Sequence, residues 1–295
     1  MHLFKNHLEY LGLIICVASA IIFGLYPPAA RAVYQDGGNI TFVILVATAC
    51  RLVGLYIFAL TQKLSLFNKF EDYKLNFYAG VFQALSIIGL LAGSFFIPGA
   101  VVVIIMFSYS LMLLLFSAWR KEVRLNKVNI CSTLCALMGL FFVLNISNQG
   151  TSYPLAGILL ALLAAFATFS RTYIFGKQRN HRHPIAIGVE TFVVAFICLL
   201  PLMFWQLPQP PSSNIGYIMM LISALSLTIG SYGMFYGISY LGAYKFSMIM
   251  KLEPIFTTLF GIILIGDFLQ FSQYFGIFLV LMSLVSLQLF DKQNT

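Results

Sequence analysis

The sequence predicts an all-α membrane protein with ten transmembrane helices, arranged as two inverted repeats of five helices each. Three observations support this fold class: a hydrophobic composition, ten long apolar runs, and an internal similarity between the two halves. Of the 295 residues, 60% are hydrophobic and only 9% are charged, and the mean hydropathy is +0.93. A soluble domain carries about 25% charged residues, so we expect a chain embedded in a lipid bilayer.

Each of ten runs is long and apolar enough to cross a bilayer core, which is about 30 Å thick and needs about 20 helical residues. The runs are too long, and alternate too little, for the strands of a membrane barrel. They cover residues 10–30, 40–60, 75–93, 98–119, 128–146, 154–175, 184–205, 215–237, 243–264 and 272–290. Because the connections are short, we expect no appended soluble domain.

Basic residues in the connections predict the orientation. If both termini are cytoplasmic, thirteen Lys and Arg residues fall in inside segments, and only Arg31 falls in an outside segment. The inside residues are Lys5, Lys63, Lys69, Lys74, Arg120, Lys121, Arg124, Lys127, Lys177, Arg179, Arg182, Lys245 and Lys292. Cytoplasmic connections carry this excess, so we expect a multi-pass protein of the inner (cytoplasmic) membrane. The net charge of +8 is then a topology signal and not a surface for nucleic acid.

The two halves, residues 1–147 and 148–295, resemble each other at a shift of about 145 residues. The third run carries Gly89-x-x-x-Gly93, and the eighth carries Gly233-x-x-x-Gly237. Because each half holds five helices, the second half must be inverted relative to the first. Inverted repeats are common in secondary transporters, which bind substrate near the middle of the membrane between the repeats. The small-residue motifs also suit close helix packing without any transport role.

Residues Leu252-Glu-Pro-Ile-Phe256 and Leu264-Ile-Gly-Asp267 resemble a motif of the EamA branch of the drug/metabolite transporter superfamily. Arg51 matches an arginine that is common in the second helix of that family, and Tyr109 stands where the family usually has proline. The resemblance implies a ten-helix carrier; relatives move amino acids, amines, choline, S-adenosylmethionine or sugar nucleotides. Because Tyr109 replaces the proline, we expect the helix break at Pro254 to have no counterpart in the first half.

Five charged residues fall well inside the predicted spans: Arg51, Arg171, Glu190, Lys251 and Glu253. A charge at the centre of a membrane helix costs at least about 2.5 kcal/mol, so each should face a partner or a water-filled cavity. Arg171 and Glu190 lie at similar distances from the connection between helices six and seven, which suits a structural ion pair, a gate contact or unpaired snorkelling. Arg51 lies near mid-membrane and suits a solute carboxylate or a structural carboxylate.

Lys251 and Glu253 flank the predicted break at Pro254. The long stem of Lys251 should let its ammonium snorkel towards the cytoplasmic interface, whereas Glu253 is too short to do so. Glu253 therefore suits substrate or proton binding, or a structural network at the break. Because Pro254 has no N–H, the carbonyl of Met250 is expected to be free for a ligand, a water or a side chain.

Tyr232, Tyr236 and Tyr240 recur every four residues in the eighth run, so they lie on one stripe of the helix. Their rings suit an ammonium or aromatic group by cation–π contact, or a simple packing ridge. The remaining candidates for a polar lining of the site are Ser19, Ser108 and Tyr109.

Together these features predict a secondary transporter of a small organic solute, an amino acid, amine or related zwitterionic or aromatic metabolite, which works by alternating access. Proton coupling is left open. The alternatives are a passive channel or scaffold, and a carrier for a larger metabolite such as S-adenosylmethionine or a nucleotide. The sequence carries no phosphate-binding glycine loop, zinc motif or nucleophile elbow, so we expect no enzyme, cofactor or metal. The expected partners are the solute and the lipid bilayer, with the protein a monomer or homodimer and no nucleic acid bound.

Overall fold

The computed structural model describes residues 2–67, 70–122, 126–144, 154–178, 181–266 and 270–291. Every regular element within these ranges is a helix. In chain order they are α1 (His2–Gly24), α2 (Tyr26–Gln35), α3 (Ile40–Thr61), α4 (Phe70–Phe96), α5 (Gly99–Phe107), α6 (Tyr109–Trp119), α7 (Lys127–Val143), α8 (Leu155–Gln178), α9 (Pro184–Leu199), α10 (Leu202–Trp205), α11 (Asn214–Leu241), α12 (Ala243–Ile249), α13 (Glu253–Ile265) and α14 (Phe271–Asp291). Five residues used in the sequence-based predictions, Lys69, Arg124, Arg179, Asp267 and Lys292, lie outside the described ranges.

Eight of these segments are long and apolar enough to cross a membrane. They are α1 with α2, α3, α4, α5 with α6, α8, α9 with α10, α11, and α12 with α13. Two further apolar helices, Lys127–Val143 and Phe271–Ser286, are shorter. The chain is therefore an all-helical multi-pass membrane protein, and the count of ten crossings stays a prediction. Trp119 ends α6 and Trp205 ends α10, both exposed, as suits rings at a membrane interface.

Small residues allow the closest helix contacts. Gly89 of α4 lies against the backbone of α8 at Leu160, and Gly233 of α11 lies against Ser19 of α1. The shift of about 145 residues relates α4 to α11 and α1 to α8, so the contact of α4 with α8 corresponds to the contact of α11 with α1. Such a pattern is expected from two related halves, whereas the inverted orientation of the second half stays a prediction.

Four of the spans consist of two consecutive helices, among them α12 with α13 and α5 with α6. The 3-10 turn Met250–Leu252 separates α12 from α13, with Pro254 in the first turn of α13, as the proline predicts. A second interruption separates α5 from α6 at Ser108, whose N–H donates to the carbonyl of Ile105 at 3.1 Å. The expectation that the first half lacks a break is therefore wrong.

The break at Ser108 needs no proline because the backbone tightens locally. Its N–H bonds three residues back instead of four, as in a 3-10 turn. The hydroxyl of Ser110 donates to the carbonyl of Phe107 at 3.0 Å, which gives that carbonyl a partner outside the regular helical ladder. The shift of about 145 residues pairs Ser108 with Glu253, so both interruptions fall at matching positions.

The connections at one end of the bundle, which we call the far end, are hydrogen-bonded to each other. The N–H and hydroxyl of Ser213, at the start of α11, donate to Asp36 at 2.8 and 2.9 Å. The side-chain amide of Asn39, at the start of α3, donates to the carbonyl of Leu207 at 2.7 Å. These bonds join a connection of the first half to one of the second. The opposite end, where α3 runs into α4 and α8 into α9, is called the near end.

Candidate solute-binding site

The two helix interruptions lie beside a polar cluster inside the bundle. Glu253 is the first residue of α13, and Tyr109 is the first residue of α6. Both interact electrostatically with Arg171 of α8, and Glu253 interacts as well with Arg51 of α3. We call Arg51, Tyr109, Arg171 and Glu253 the central cluster. The break places the Glu253 carboxylate in the first turn of α13, where the helix dipole favours a negative charge.

Arg51 is almost wholly enclosed in the protein. Its side chain is only 8% exposed, and its guanidinium carbon lies 4.7 Å from the centre of the Phe192 ring. This position over an aromatic face stabilises the cation. The Nε of Arg51 is buried and has no hydrogen-bond partner among the described residues, so one donor of the guanidinium remains available.

Arg171 of α8 is held by a side chain of α4. Its Nη1 donates a short hydrogen bond to Oε1 of Gln83, a buried side chain. The Nε of Arg171 is likewise buried without a partner among the described residues. The hydroxyl of Ser108, at the neighbouring break, is a third such group. The cluster therefore offers several unused polar atoms around its arginines.

The formal charges of the central cluster do not balance. Arg51 and Arg171 supply two positive charges and Glu253 supplies one negative charge, while Tyr109 is a phenol. The two guanidinium groups also repel each other. Buried charges are normally paired because desolvating an unpaired ion is costly. An anionic group bound here would balance the charge and accept hydrogen bonds from the unused donors.

Arg171 and Glu190 do not form the ion pair that their spacing suggested. Helix α4 packs against both α8 and α9, so it lies between the helices that carry the two residues. Arg171 therefore bonds to Gln83 of α4, while Glu190 bonds to Asn76, about two helical turns before Gln83 on the same helix. Equal distance from a connection places two residues at one depth, but it does not make their helices neighbours.

Glu190 instead closes the near end of the bundle. It accepts two bonds from Arg182, both at 2.7 Å, and one at 2.7 Å from the backbone N–H of Phe67. Asn76 donates to the same carboxylate and accepts from the amide of Gln178 at 2.8 Å. We call these residues the Glu190 latch. The latch joins the α3–α4 connection of the first half to α8 and α9 of the second.

His183 caps the start of α9 beside this latch. Its Nδ1 accepts from the N–H of Ile185 at 3.3 Å, and its ring meets that of Tyr236 edge to face. Burial lowers the pKa of His183, which favours the neutral ring that the cap requires.

Lys251 does not reach the membrane interface. Its side chain is fully buried, and its ammonium nitrogen lies 3.3 Å from the carbonyl of Thr133 and 3.4 Å from the sulfur of Met248. The expectation of snorkelling is therefore wrong, because the 3-10 turn directs the side chain onto α7. The carbonyl of Met250 is not free either: the N–H of Glu253 donates to it. A 3-10 turn supplies this donor three residues on, which replaces the bond that Pro254 cannot make.

The tyrosine stripe and Ser19 lie at helix contacts. The Tyr232 hydroxyl donates to the carbonyl of Gly54 at 2.6 Å, and Tyr236 stacks on Tyr240 with ring centres 6.2 Å apart. The Ser19 hydroxyl donates to the carbonyl of Gly230 at 2.6 Å, between α1 and α11. Of the predicted site residues, Arg51, Glu253, Tyr109 and Ser108 are thus brought together. The side chains of Tyr232, Tyr236, Tyr240 and Ser19 make their contacts elsewhere. Their predicted part in solute binding stays a prediction.

Sequence reasoning missed three neighbours of the cluster. Gln83 holds Arg171, Phe192 lies under Arg51, and Tyr26 interacts electrostatically with Arg51. Gln83 had a detectable signal, since it is a polar side chain inside an apolar run. Phe192 and Tyr26 had none, because aromatic residues are common throughout the spans.

A cavity of about 450 Å³ lies beside α13 on the side away from the near-end latch. Its lining includes Arg31 of α2, Thr257 and Thr258 of α13, and Gln273 of α14. Thr257 is one helical turn beyond Glu253 and so lies on the same face of α13. The cavity therefore ends one turn of helix from the central cluster.

The sequence was also compared with known proteins. The model of the EamA-like transporter family matches twice, over residues 10–145 and 155–288. A solved crystal structure, described only as that of a protein, is similar with a TM-score of 0.80 and 14% sequence identity, over 96% of this chain and 98% of the other. No curated protein matches the sequence significantly. The two family matches take in most of the chain, which therefore belongs to the EamA-like transporter family of multi-pass membrane proteins that carry small solutes.

Proposed function

We propose that this protein is a secondary transporter of a small organic solute that bears a carboxylate, such as an amino acid or a related zwitterion, and that it works by alternating access. The observation that carries the proposal is the central cluster. Arg51 and Arg171 both interact electrostatically with the Glu253 carboxylate, and each arginine keeps a buried Nε–H without a partner among the described residues. This arrangement has the charge and the donors for one more anionic group.

A solute carboxylate fits between Arg51 and Arg171 because the planar guanidinium matches a carboxylate in geometry and charge. Glu253 then suits the ammonium group of a zwitterion. Phe192 and Tyr109 supply aromatic surface beside these polar groups. A simple amine without a carboxylate adds positive charge to a site that already has an excess, so zwitterions and anions are preferred over amines.

Alternating access is supported by the arrangement of the two ends. The Glu190 latch closes the near end with bonds between the halves, from Phe67 and Asn76 to Glu190 and from Gln178 to Asn76. The cavity beside α13 approaches Glu253 from the other side. Broken helices at mid-membrane are typical binding elements of carriers built from repeats. These features support a carrier whose near end, cytoplasmic in the predicted topology, is closed by the latch.

The proposal is tested by binding and exchange measurements on purified protein. A thermal-shift panel would compare zwitterionic amino acids with their methyl esters, with the matching amines, and with S-adenosylmethionine and nucleotides. We expect stabilisation by solutes that keep a free carboxylate and none by the esters or amines. Stabilisation by amines alone would refute the assignment of the arginines.

Counterflow in proteoliposomes separates a carrier from a passive channel. A carrier exchanges labelled external solute against a high internal concentration of unlabelled solute, and a channel cannot. We expect uptake of labelled solute to rise transiently above its equilibrium level in the wild type. We expect the same in the control variant Arg120→Gln, because Arg120 is exposed and lies outside the cluster. We expect the overshoot to be lost in Arg51→Gln and Arg171→Gln. An overshoot of wild-type size in both cluster variants would show that they do not bind the solute.

A further inference from the structure

Lys251 lies on the side of the helix break that faces away from the central cluster. It is the middle residue of the 3-10 turn, and its side chain is 0% exposed. Glu253, two residues on, interacts with Arg51 and Arg171, whereas the Lys251 nitrogen contacts α7 at Thr133. One short turn therefore carries two ionisable groups that point into different parts of the protein.

The surroundings of Lys251 suit a neutral amine better than an ammonium ion. An ammonium group has three donors and needs strong acceptors, preferably a carboxylate. The acceptors found are one carbonyl at 3.3 Å and one thioether sulfur at 3.4 Å, and a thioether is a weak acceptor. No ion pair to Lys251 is formed by the described residues. A fully buried cation without a counter-charge loses its proton unless a partner stabilises it.

The groups around Lys251 do not change this conclusion. From α7 the ionisable neighbour is the thiol of Cys135, and from α12 it is the phenol of Tyr244, which lies beyond Thr133. On α1 the buried Cys16 lies against Gly237 of α11. The side chains described on α14 include no charged group. Glu253 belongs to the central cluster, and Glu9 of α1 pairs with Lys245 of α12 at 2.7 Å. Neither carboxylate is therefore left to balance an ammonium ion here.

A column of polar groups leads from Lys251 towards the near end of the bundle. The hydroxyls of Thr133 and Tyr244 lie 3.2 Å apart, and the Thr133 hydroxyl donates to the carbonyl of Asn129 at 2.7 Å. Asn129 lies in the first turn of α7, which begins at Lys127. The hydroxyl of Thr133 is also 3.5 Å from the sulfur of Met248. This column places oxygen atoms between the helix end and the buried amine.

We propose that Lys251 is a proton-binding site of the carrier, neutral in this conformation and protonated when the 3-10 turn moves its side chain towards the hydroxyls of Thr133 and Tyr244. The step forms one N–H bond at the lone pair of the amine and breaks one O–H bond of a hydronium ion, which leaves a water molecule. The same turn positions Glu253, so proton binding and solute binding bias one structural element. By thermodynamic linkage, a bound proton then changes the affinity for the solute by the same factor as bound solute changes the affinity for the proton. This proposal rests on the proposed transport function, because its second test measures transport.

The first experiment does not depend on transport. Purified protein in a weakly buffered detergent solution at pH 8 is unfolded with excess sodium dodecyl sulfate, and the protons taken up per molecule are counted with an indicator dye. We expect the wild type and Lys177→Met, which lacks an exposed lysine, to take up one more proton than Lys251→Met. Equal uptake by all three proteins would mean that Lys251 is already charged in the folded state, and it would overturn the proposal.

The second experiment measures coupling in proteoliposomes. We expect Lys251→Met to retain counterflow of the solute but to lose the accumulation that a pH gradient drives in the wild type. Accumulation of wild-type size in Lys251→Met contradicts the inference. If the wild type itself shows no counterflow, the transport function fails, and proton uptake on unfolding still decides the state of Lys251. Lys251→Gln, which keeps a polar side chain, serves both measurements if the methionine variant does not fold.

Discussion

Arg51 and Arg171 are held in different ways, and this difference predicts different responses to mutation. Arg51 lies over the ring of Phe192, an interaction that any cation can make, whereas Arg171 bonds to the amide of Gln83 through its guanidinium. A lysine is a point charge on a flexible stem and lacks the planar fork of arginine. The two positions therefore depend unequally on the shape of the side chain.

We expect Arg51→Lys to keep part of the solute affinity and Arg171→Lys to lose nearly all of it. Loss of a hydrogen bond to a charged group costs about 1.5–3 kcal/mol, which corresponds to about 10–100-fold in affinity. Titration of the solute by calorimetry measures the difference. Equal losses in the two lysine variants would contradict the distinction, and Arg120→Lys, at an exposed site, controls for nonspecific effects.

Glu190 leads to a second prediction, on stability. The carboxylate of Glu190 is fully buried and bonded to Arg182, so Glu190→Gln removes the carboxylate from a cation that is only 10% exposed. Breaking a buried ion pair from one side costs about 3–5 kcal/mol. We expect a marked fall in the thermal unfolding midpoint in detergent, partly recovered in the double variant Arg182→Gln/Glu190→Gln.

The matched control for Glu190 is Glu9→Gln. Glu9 pairs with Lys245 at 2.7 Å, but the side chains are 45% and 33% exposed. Exposed pairs contribute about 0–1 kcal/mol, so this substitution should leave the unfolding midpoint almost unchanged. A loss in Glu9→Gln as large as that in Glu190→Gln would show that burial does not set the cost.

At the scale of helices, the contact between α7 and α14 depends on two glycines. A Cβ at Gly276 would lie 2.5 Å from the backbone nitrogen of Val143 and 2.6 Å from the carbonyl oxygen of Gly139. Backbone atoms cannot move aside as a flexible side chain can. We expect Gly276→Ala to lower stability by about 1–3 kcal/mol, measured by detergent unfolding. Gly99→Ala, where a Cβ meets nothing within 4 Å, should have little effect.

Pro254 gives a prediction for the helix break. Substitution by alanine restores an N–H and lets α12 and α13 join into one continuous helix. That change rotates Glu253 away from Arg51 and Arg171. We expect Pro254→Ala to be at least as stable as the wild type and to bind solute roughly tenfold more weakly. Wild-type affinity together with unchanged stability would mean that the break persists without proline.

The two breaks also show how far the sequence predicts the elements. The break at Pro254 was predictable because proline removes a donor and clashes within a helix. The break at Ser108 was not, because serine is tolerated in helices and the tightened turn depends on tertiary packing. In the same way, the buried charges could be identified in the sequence, but their partners depend on α4 lying between α8 and α9. Spacing along the chain fixes depth in the membrane and leaves helix adjacency open.

For the whole molecule, the composition and the apolar runs already predict a multi-pass helical membrane protein, and the family match confirms the transporter family. The central cluster draws on residues from four separate helices, α3, α6, α8 and α13. Hydropathy carries no information on which helices meet, so the grouping of Arg171 with Arg51 required the three-dimensional arrangement.

The excess positive charge of the central cluster has a consequence for turnover. An empty carrier must pass through a closed state with two arginines and one carboxylate away from water, which is unfavourable. A carrier loaded with a solute of net charge −1 passes through the same state with the charge balanced, and a zwitterion gives the arginines a carboxylate partner without changing the net charge. Reorientation with cargo should therefore be faster than reorientation without it, so exchange should be faster than net transport. We expect labelled solute to leave proteoliposomes faster when unlabelled solute is present outside, and equal rates with and without it would show that the empty carrier returns freely.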